Sequence, residues 1–129
     1  MQVAGFLNCS QNLRTNQINI IFATEGQMEI AFEKDYLKDL YYEGRAKDKH
    51  HRFQRSILKR YIRVVNTLES VGRPEDLYRY RSLHYEHLSG DKAGLDSVRV
   101  NDKYRLELRL VEGHGIVICN IVELSNHYR

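Results

Sequence analysis

Apolar positions along the chain change their spacing twice, and the changes divide it into three stretches. Residues 1–27 carry only Arg14 and Glu25 as charges, many Asn and Gln, and one strand-like apolar run over residues 18–23. They read as a poorly ordered extension, such as upstream sequence translated from an early start codon, or as an added edge strand. From residue 28 to 32 a short alternation predicts a strand, and residues 34–42 place Tyr36, Leu37, Leu40 and Tyr41 at helical spacing. Gly44 is placed to end that helix. The strongest helical signal runs over residues 50–71, where Phe53, Ile57, Leu58, Tyr61, Val64, Val65 and Leu68 gather on one side. Gly72 and Pro74 close this helix, with one further turn at residues 77–80.

Beyond Arg81 the period becomes two. Residues 83–88, 95–100, 104–111 and 116–124 read as strands, separated by turn signals at Asn101-Asp102-Lys103 and Glu112-Gly113-His114-Gly115. The last three form consecutive antiparallel strands. A strand, two helices and a meander of three or four strands define a small α+β domain with helices on one face of a sheet. The other face is left free to hold a groove.

Composition narrows the picture without changing it. The 129 residues, 42% hydrophobic with one Pro, suit one globular domain, here residues 28–129 behind the 1–27 extension. Cys9 and Cys119 stand far apart in no metal-type spacing, which argues for reduced thiols in a cytoplasmic protein. No apolar run approaches a membrane span, so no membrane partner is expected. Six His without a helical His pair or clustered Cys give no metal site, and no phosphate-cradling Gly loop or nucleophile elbow is present. No cofactor is expected, and chemistry must rest on proton transfer and charge stabilisation.

The net charge of +3 matters less than its placement. Residues 45–63 hold eight Lys or Arg and one acid, Asp48, with Arg52, Arg55, Lys59 and Arg63 opposite the apolar stripe. Such a run is either a solvated helix face or a track for a phosphate backbone. In the sheet half, alternation sends Val98, Val100, Leu106, Leu108 and Leu110 one way and Arg99, Arg105, Glu107 and Arg109 the other. Arg99 can serve a phosphate or pair with a strand carboxylate.

The stretch Glu86-x-Leu-x-Gly-Asp-Lys-x-Gly-x-x-Ser-Val-Arg-Val-Asn-Asp-Lys-Tyr-Arg-Leu, followed by a strand and a terminal Asn126-His127-Tyr128, resembles the RelE/ParE toxin superfamily. Its HigB and YoeB members are the nearest in pattern, and the likeness spans residues 28–129 in element order. The resemblance implies a microbial-RNase-like fold, an endoribonuclease that cuts messenger RNA on the ribosome, and a cognate antitoxin that silences it. It also implies that Glu86 is a general base, that Arg105 steadies the scissile phosphate, and that His127 and Tyr128 form the terminal pair. Independently, cleavage through the RNA's own 2′-hydroxyl needs a base, a cation and an acid, which Glu86, Arg105 and His127 could supply without metal. Tyr128 could stack on a base. Arg52, Arg55, Lys59, Lys92 and Arg99 are the expected RNA contacts. Two rivals share the fold: a ParE-like DNA gyrase inhibitor without nuclease activity, and an inactive RNA-binding relic.

Overall fold

The computed structural model describes residues 28–126. Strand β1, Glu29–Phe32, leads into helix α1, Asp35–Tyr42, and helix α2, Arg55–Ser70. Two 3-10 turns, Pro74–Arg79 and Arg81–Leu83, then carry the chain to the short strand β2, Glu86–His87, and a third, Gly90–Lys92, precedes β3, Asp96–Arg99. A long hairpin of β4, Tyr104–Gly113, and β5, Ile116–Asn126, completes the domain.

The five strands lie in the order β1-β5-β4-β3-β2. All neighbours are antiparallel except β1, which runs parallel to β5 with Glu29 opposite Ile118 and Phe32 opposite Ile121. The hairpin turns through His114 and Gly115, both at positive φ, as a two-residue connection matched to strand twist requires. The β3–β4 turn is held by the Asn101 side chain, whose Oδ1 accepts from the amides of Lys103 and Tyr104 at 2.9 and 2.8 Å.

The helices cover one sheet face because their apolar stripes require it. Tyr36, Leu37 and Leu40 from α1 and Ile57, Tyr61, Val64, Val65 and Leu68 from α2 are buried against Val98, Leu106, Leu108, Ile121 and Leu124. Tyr61 is fully buried, and its hydroxyl donates to the Leu37 carbonyl at 2.7 Å, which ties the two helices together while satisfying the phenol. Met28 anchors the start of β1 through its amide to the Val71 carbonyl.

Two expected boundaries move. The long helix begins at Arg55, not at His50, because residues 51–54 stay out of it: Gln54 is extended, and His51 is held by Asp48 and stacked on Tyr36. Arg52 and Phe53 therefore sit in the approach loop. The strand expected over residues 83–88 shrinks to two residues, since Leu83 closes a 3-10 turn and His84 takes a left-handed φ of 46° that no strand admits. Residues 1–27, expected as an extension or edge strand, and the terminal His127 and Tyr128 lie outside the described residues.

Candidate active site

On the sheet face away from the helices, cross-strand pairing gathers the polar side chains into two rows. Glu86 and Glu107 both stand opposite Ser97, and Glu107 also faces Glu123; one step along, Arg105 faces Arg99 on one side and Ser125 on the other. Each carboxylate of the first row has its own cation: Arg105 for Glu86, Lys92 for Glu107 and Lys34 for Glu123. The second row would be strongly repulsive at Arg99 and Arg105 if both guanidiniums stayed in the sheet plane. Arg99 instead turns to Asp102 in the following loop.

Arg105 is the best fixed of these groups. Its Nε donates to Ser97 Oγ at 2.9 Å, and Nη2 donates to the His84 carbonyl at 2.7 Å and lies 3.4 Å from Glu86 Oε2. The left-handed turn at His84 is what aims that carbonyl at the guanidinium. Only 13% of the Arg105 side chain is exposed, against 56% for Glu86, so a mostly buried, hydrogen-bonded cation sits beneath an exposed carboxylate. Both line an open cleft of about 230 Å³ with Leu88, Lys92, Ser97, Glu107, Ser125 and Asn126. Among the described residues, no hydrogen bond runs from Arg105 Nη1. Glu107, 6% exposed, is paired with the Lys92 ammonium, so Lys92 doubles as a structural partner and a cleft cation.

The expected residues do not all come together. Glu86, Arg105 and Lys92 meet in one cleft. Arg55 and Lys59 are exposed on α2, and Arg52 lines a different hollow between the helices with Leu40, Arg45, Ala46, His51 and Phe53. Arg99 stands opposite Arg105 in the ladder but lines a separate cavity. His127 and Tyr128 follow Asn126 in the chain and lie outside the described residues. Alternation places Glu107 on the polar face with Arg105 but does not make it a cleft residue, and nothing local in the sequence marks Ser97 or Ser125.

The opposite face of β2 and β3 carries a second polar group. Asp96, 9% exposed, accepts from the Tyr85 hydroxyl at 2.6 Å and holds His87 Nδ1 at 2.6 Å, while His87 Nε2 lies 3.3 Å from the Tyr78 hydroxyl. Burial, with Asp96 beside it, pushes the Tyr85 phenol well above its ordinary range. Cys119 is a buried free thiol pushed up to about 12 by burial, so it is unreactive near neutrality. Among the described residues, no group of three or more His, Cys, Asp or Glu is arranged to hold a metal ion. No helix among them is long and apolar enough to cross a membrane.

A helix-backed sheet whose free face pairs an exposed carboxylate with a fixed arginine, in an open cleft lined by two cations and two acids, defines a small α+β protein with a charged surface site. Comparison with known proteins gives the family. Residues 30–122 match the model described as the RelE-like toxin of type II toxin-antitoxin system HigB, and the chain belongs to this HigB-like toxin family. It is 32% identical over 87 residues to Toxin HigB-1 of Vibrio cholerae serotype O1, covering 67% of this chain and 87% of that one. Among solved structures it is similar to a YoeB/ParE toxin from Agrobacterium tumefaciens, with TM-score 0.48 and 14% identity over 78% of this chain and all of that one. The YoeB toxin in a YoeB-YefM complex from Staphylococcus aureus aligns with TM-score 0.42 and 17% identity, over 79% of this chain and 99% of that one. The protein is accordingly the toxin of a type II pair, and an antitoxin is its partner.

Proposed function

We propose that this toxin is an endoribonuclease that cuts messenger RNA bound to the ribosome in the cytoplasm, by attack of the RNA's own 2′-hydroxyl and without a metal ion. Glu86 takes the 2′-hydroxyl proton, and O2′ attacks phosphorus while Arg105 and Lys92 stabilise the charge that builds on the phosphorane oxygens. The bond to the 5′-oxygen breaks as that oxygen takes a proton from His127, leaving a 2′,3′-cyclic phosphate. Tyr128 stacks on a base next to the scissile bond. In the resting protein the Glu86 carboxylate rests on Arg105; an incoming phosphate competes for the same guanidinium and frees the exposed carboxylate to act as base.

The reading is supported above all by Arg105, a cation fixed by two hydrogen bonds within reach of a carboxylate at an open cleft. An inhibitor that merely docks on gyrase has no need of that juxtaposition. The test is to strip the protein with EDTA, add it to ribosomes programmed with a defined message, and map the RNA ends. New cuts bearing 2′,3′-cyclic phosphate are expected, with Glu86→Gln at least about 10²-fold slower. Intact message together with inhibited gyrase supercoiling would overturn it.

A further inference from the structure

A cavity lined by cations without acids lies on the other side of the segment that anchors Arg105. About 180 Å³ in volume, it is lined by Arg60, Arg63, Val64 and Thr67 of α2, Ser82 and Leu83 of the 3-10 turn, and Arg99 and Val100 at the end of β3. Arg60, Arg63 and Thr67 fall on one helix face at the three- and four-residue spacing of neighbouring turns. The cavity is reached from the sheet because β2 pairs only with Asp96 and Ser97, leaving the Arg99 end of β3 without a strand on that side.

Three features make it a seat for an anion. Three guanidiniums line it and no carboxylate does, whereas the cleft holds Glu86 and Glu107. The guanidiniums of Arg60 and Arg63 make no ion pair or hydrogen bond among the described residues, and the Thr67 hydroxyl beside them donates to the Arg63 backbone carbonyl at 3.0 Å. Arg99 is engaged only with Asp102, which is 83% exposed and offers little competition to a doubly coordinated phosphate. The floor supplies Ser82, an exposed hydroxyl that can donate.

The seat is also physically joined to the cleft. Ser82 and Leu83 line the seat, the next carbonyl, that of His84, binds Arg105, and Glu86 lines the cleft. Arg99 and Arg105 stand directly opposite each other in the ladder. A strand of RNA lying with one phosphate against Arg105 needs only to cross this short segment to bring another between Arg60, Arg63 and Arg99.

We propose that Arg60, Arg63, Arg99 and Ser82 form a second phosphodiester seat that holds RNA beside the cleavage cleft. The identity of the ligand rests on the nuclease reading; the anion site itself does not. The RNA can be the message or ribosomal RNA, and the experiment separates them. Full-length protein is titrated onto empty ribosomes and onto ribosomes carrying message, over a series of KCl concentrations, with cleavage followed in parallel. Arg60→Gln with Arg63→Gln should weaken binding about tenfold and make the salt dependence shallower by roughly one to two ions, as lost phosphate contacts demand. A loss on empty ribosomes places ribosomal RNA in the seat, and a loss confined to loaded ribosomes places the message there. Affinity and salt slope unchanged on both, or an equal loss from Arg73→Gln with Arg79→Gln, which removes the same charge elsewhere, would overturn the proposal. A parent protein that binds with the expected salt slope and cuts nothing would overturn the nuclease reading while leaving the seat measured.

Discussion

Asp96 holds His87 Nδ1 at 2.6 Å from the face of the sheet opposite to Glu86, so one residue of β2 is gripped from below while the other lines the cleft above. Two backbone pairings alone would leave this strand free to fray. Asp96→Ala removes the partner of both His87 and the buried Tyr85 hydroxyl, and should cost about 2–4 kcal/mol of stability, read as a lower urea midpoint. His87→Ala, which leaves Tyr85 paired, should cost less but still slow cleavage by loosening Glu86. Equal midpoints for parent and Asp96→Ala would show that the pair contributes nothing.

Arg105→Ala should reduce cleavage by at least about 10²-fold, since a guanidinium aimed at a phosphorane is felt most in the transition state. Its loss orphans Ser97 Oγ and the His84 carbonyl, so a stability decrease of about 1–2 kcal/mol should accompany it. Arg105→Lys keeps the charge but loses the fork that spans both anchors, and is expected to recover little activity. Toxicity in cells and message cleavage in vitro are the paired readouts.

His127→Ala is expected to slow cleavage by roughly 10²-fold or more if the imidazole protonates the leaving oxygen, and to flatten the alkaline limb of the rate profile. Tyr128→Phe, which preserves the ring, should lose much less, and Tyr128→Ala more. A His127→Ala protein that binds ribosomes and cuts at the parent rate transfers the acid role to another group.

Reversing Arg52, Arg55 and Lys59 to Glu should weaken ribosome association and make it less sensitive to salt, while Arg105→Ala leaves association intact. Arg55 and Lys59 are exposed on α2, and Arg52 is exposed in the loop before it, so the fold should survive the triple change. Cosedimentation across a salt series separates this docking role from the chemistry; unchanged pelleting would assign these cations to solvent.

Alkali should destabilise the protein from near pH 9 upward. Burial raises the Cys119 thiol from 9.0 to about 12, and raises the Tyr36, Tyr61 and Tyr85 phenols above their ordinary 10.0. Below the ordinary values neither the folded nor the unfolded chain ionises these groups; above them the unfolded chain releases protons that the native state retains. Stability therefore falls as pH rises, first with the thiol and then with the phenols. Urea midpoints at pH 8, 9 and 10 test the sign, and Cys119→Ala should delay the onset.

Helix α2 was legible because one physical demand, burial of a stripe, dictates its period: Ile57, Tyr61, Val64, Val65 and Leu68 are all inside. Alternation likewise put Arg105 and Glu107 on one face of β4. What the local pattern does not carry is pairing between distant segments. Nothing in residues 29–32 names β5 as their neighbour or fixes a parallel register, and nothing in residues 83–85 announces the left-handed His84 that cuts β2 short. The cleft was half visible for the same reason. Glu86 and Arg105 carry charges that invite chemistry, whereas Ser97 matters because the ladder sets it between Glu86 and Glu107, where its hydroxyl accepts from Arg105.

The last of the five described strands in chain order, β5, lies inside the sheet, between β1 and β4. A chain emerging from a ribosome in order can make its helices early, but β1 has no partner and the cleft no third wall until β5 has cleared the tunnel. The fold thus delays its own activity and not its synthesis: whatever chemistry the cleft performs is absent until the last strand is in place.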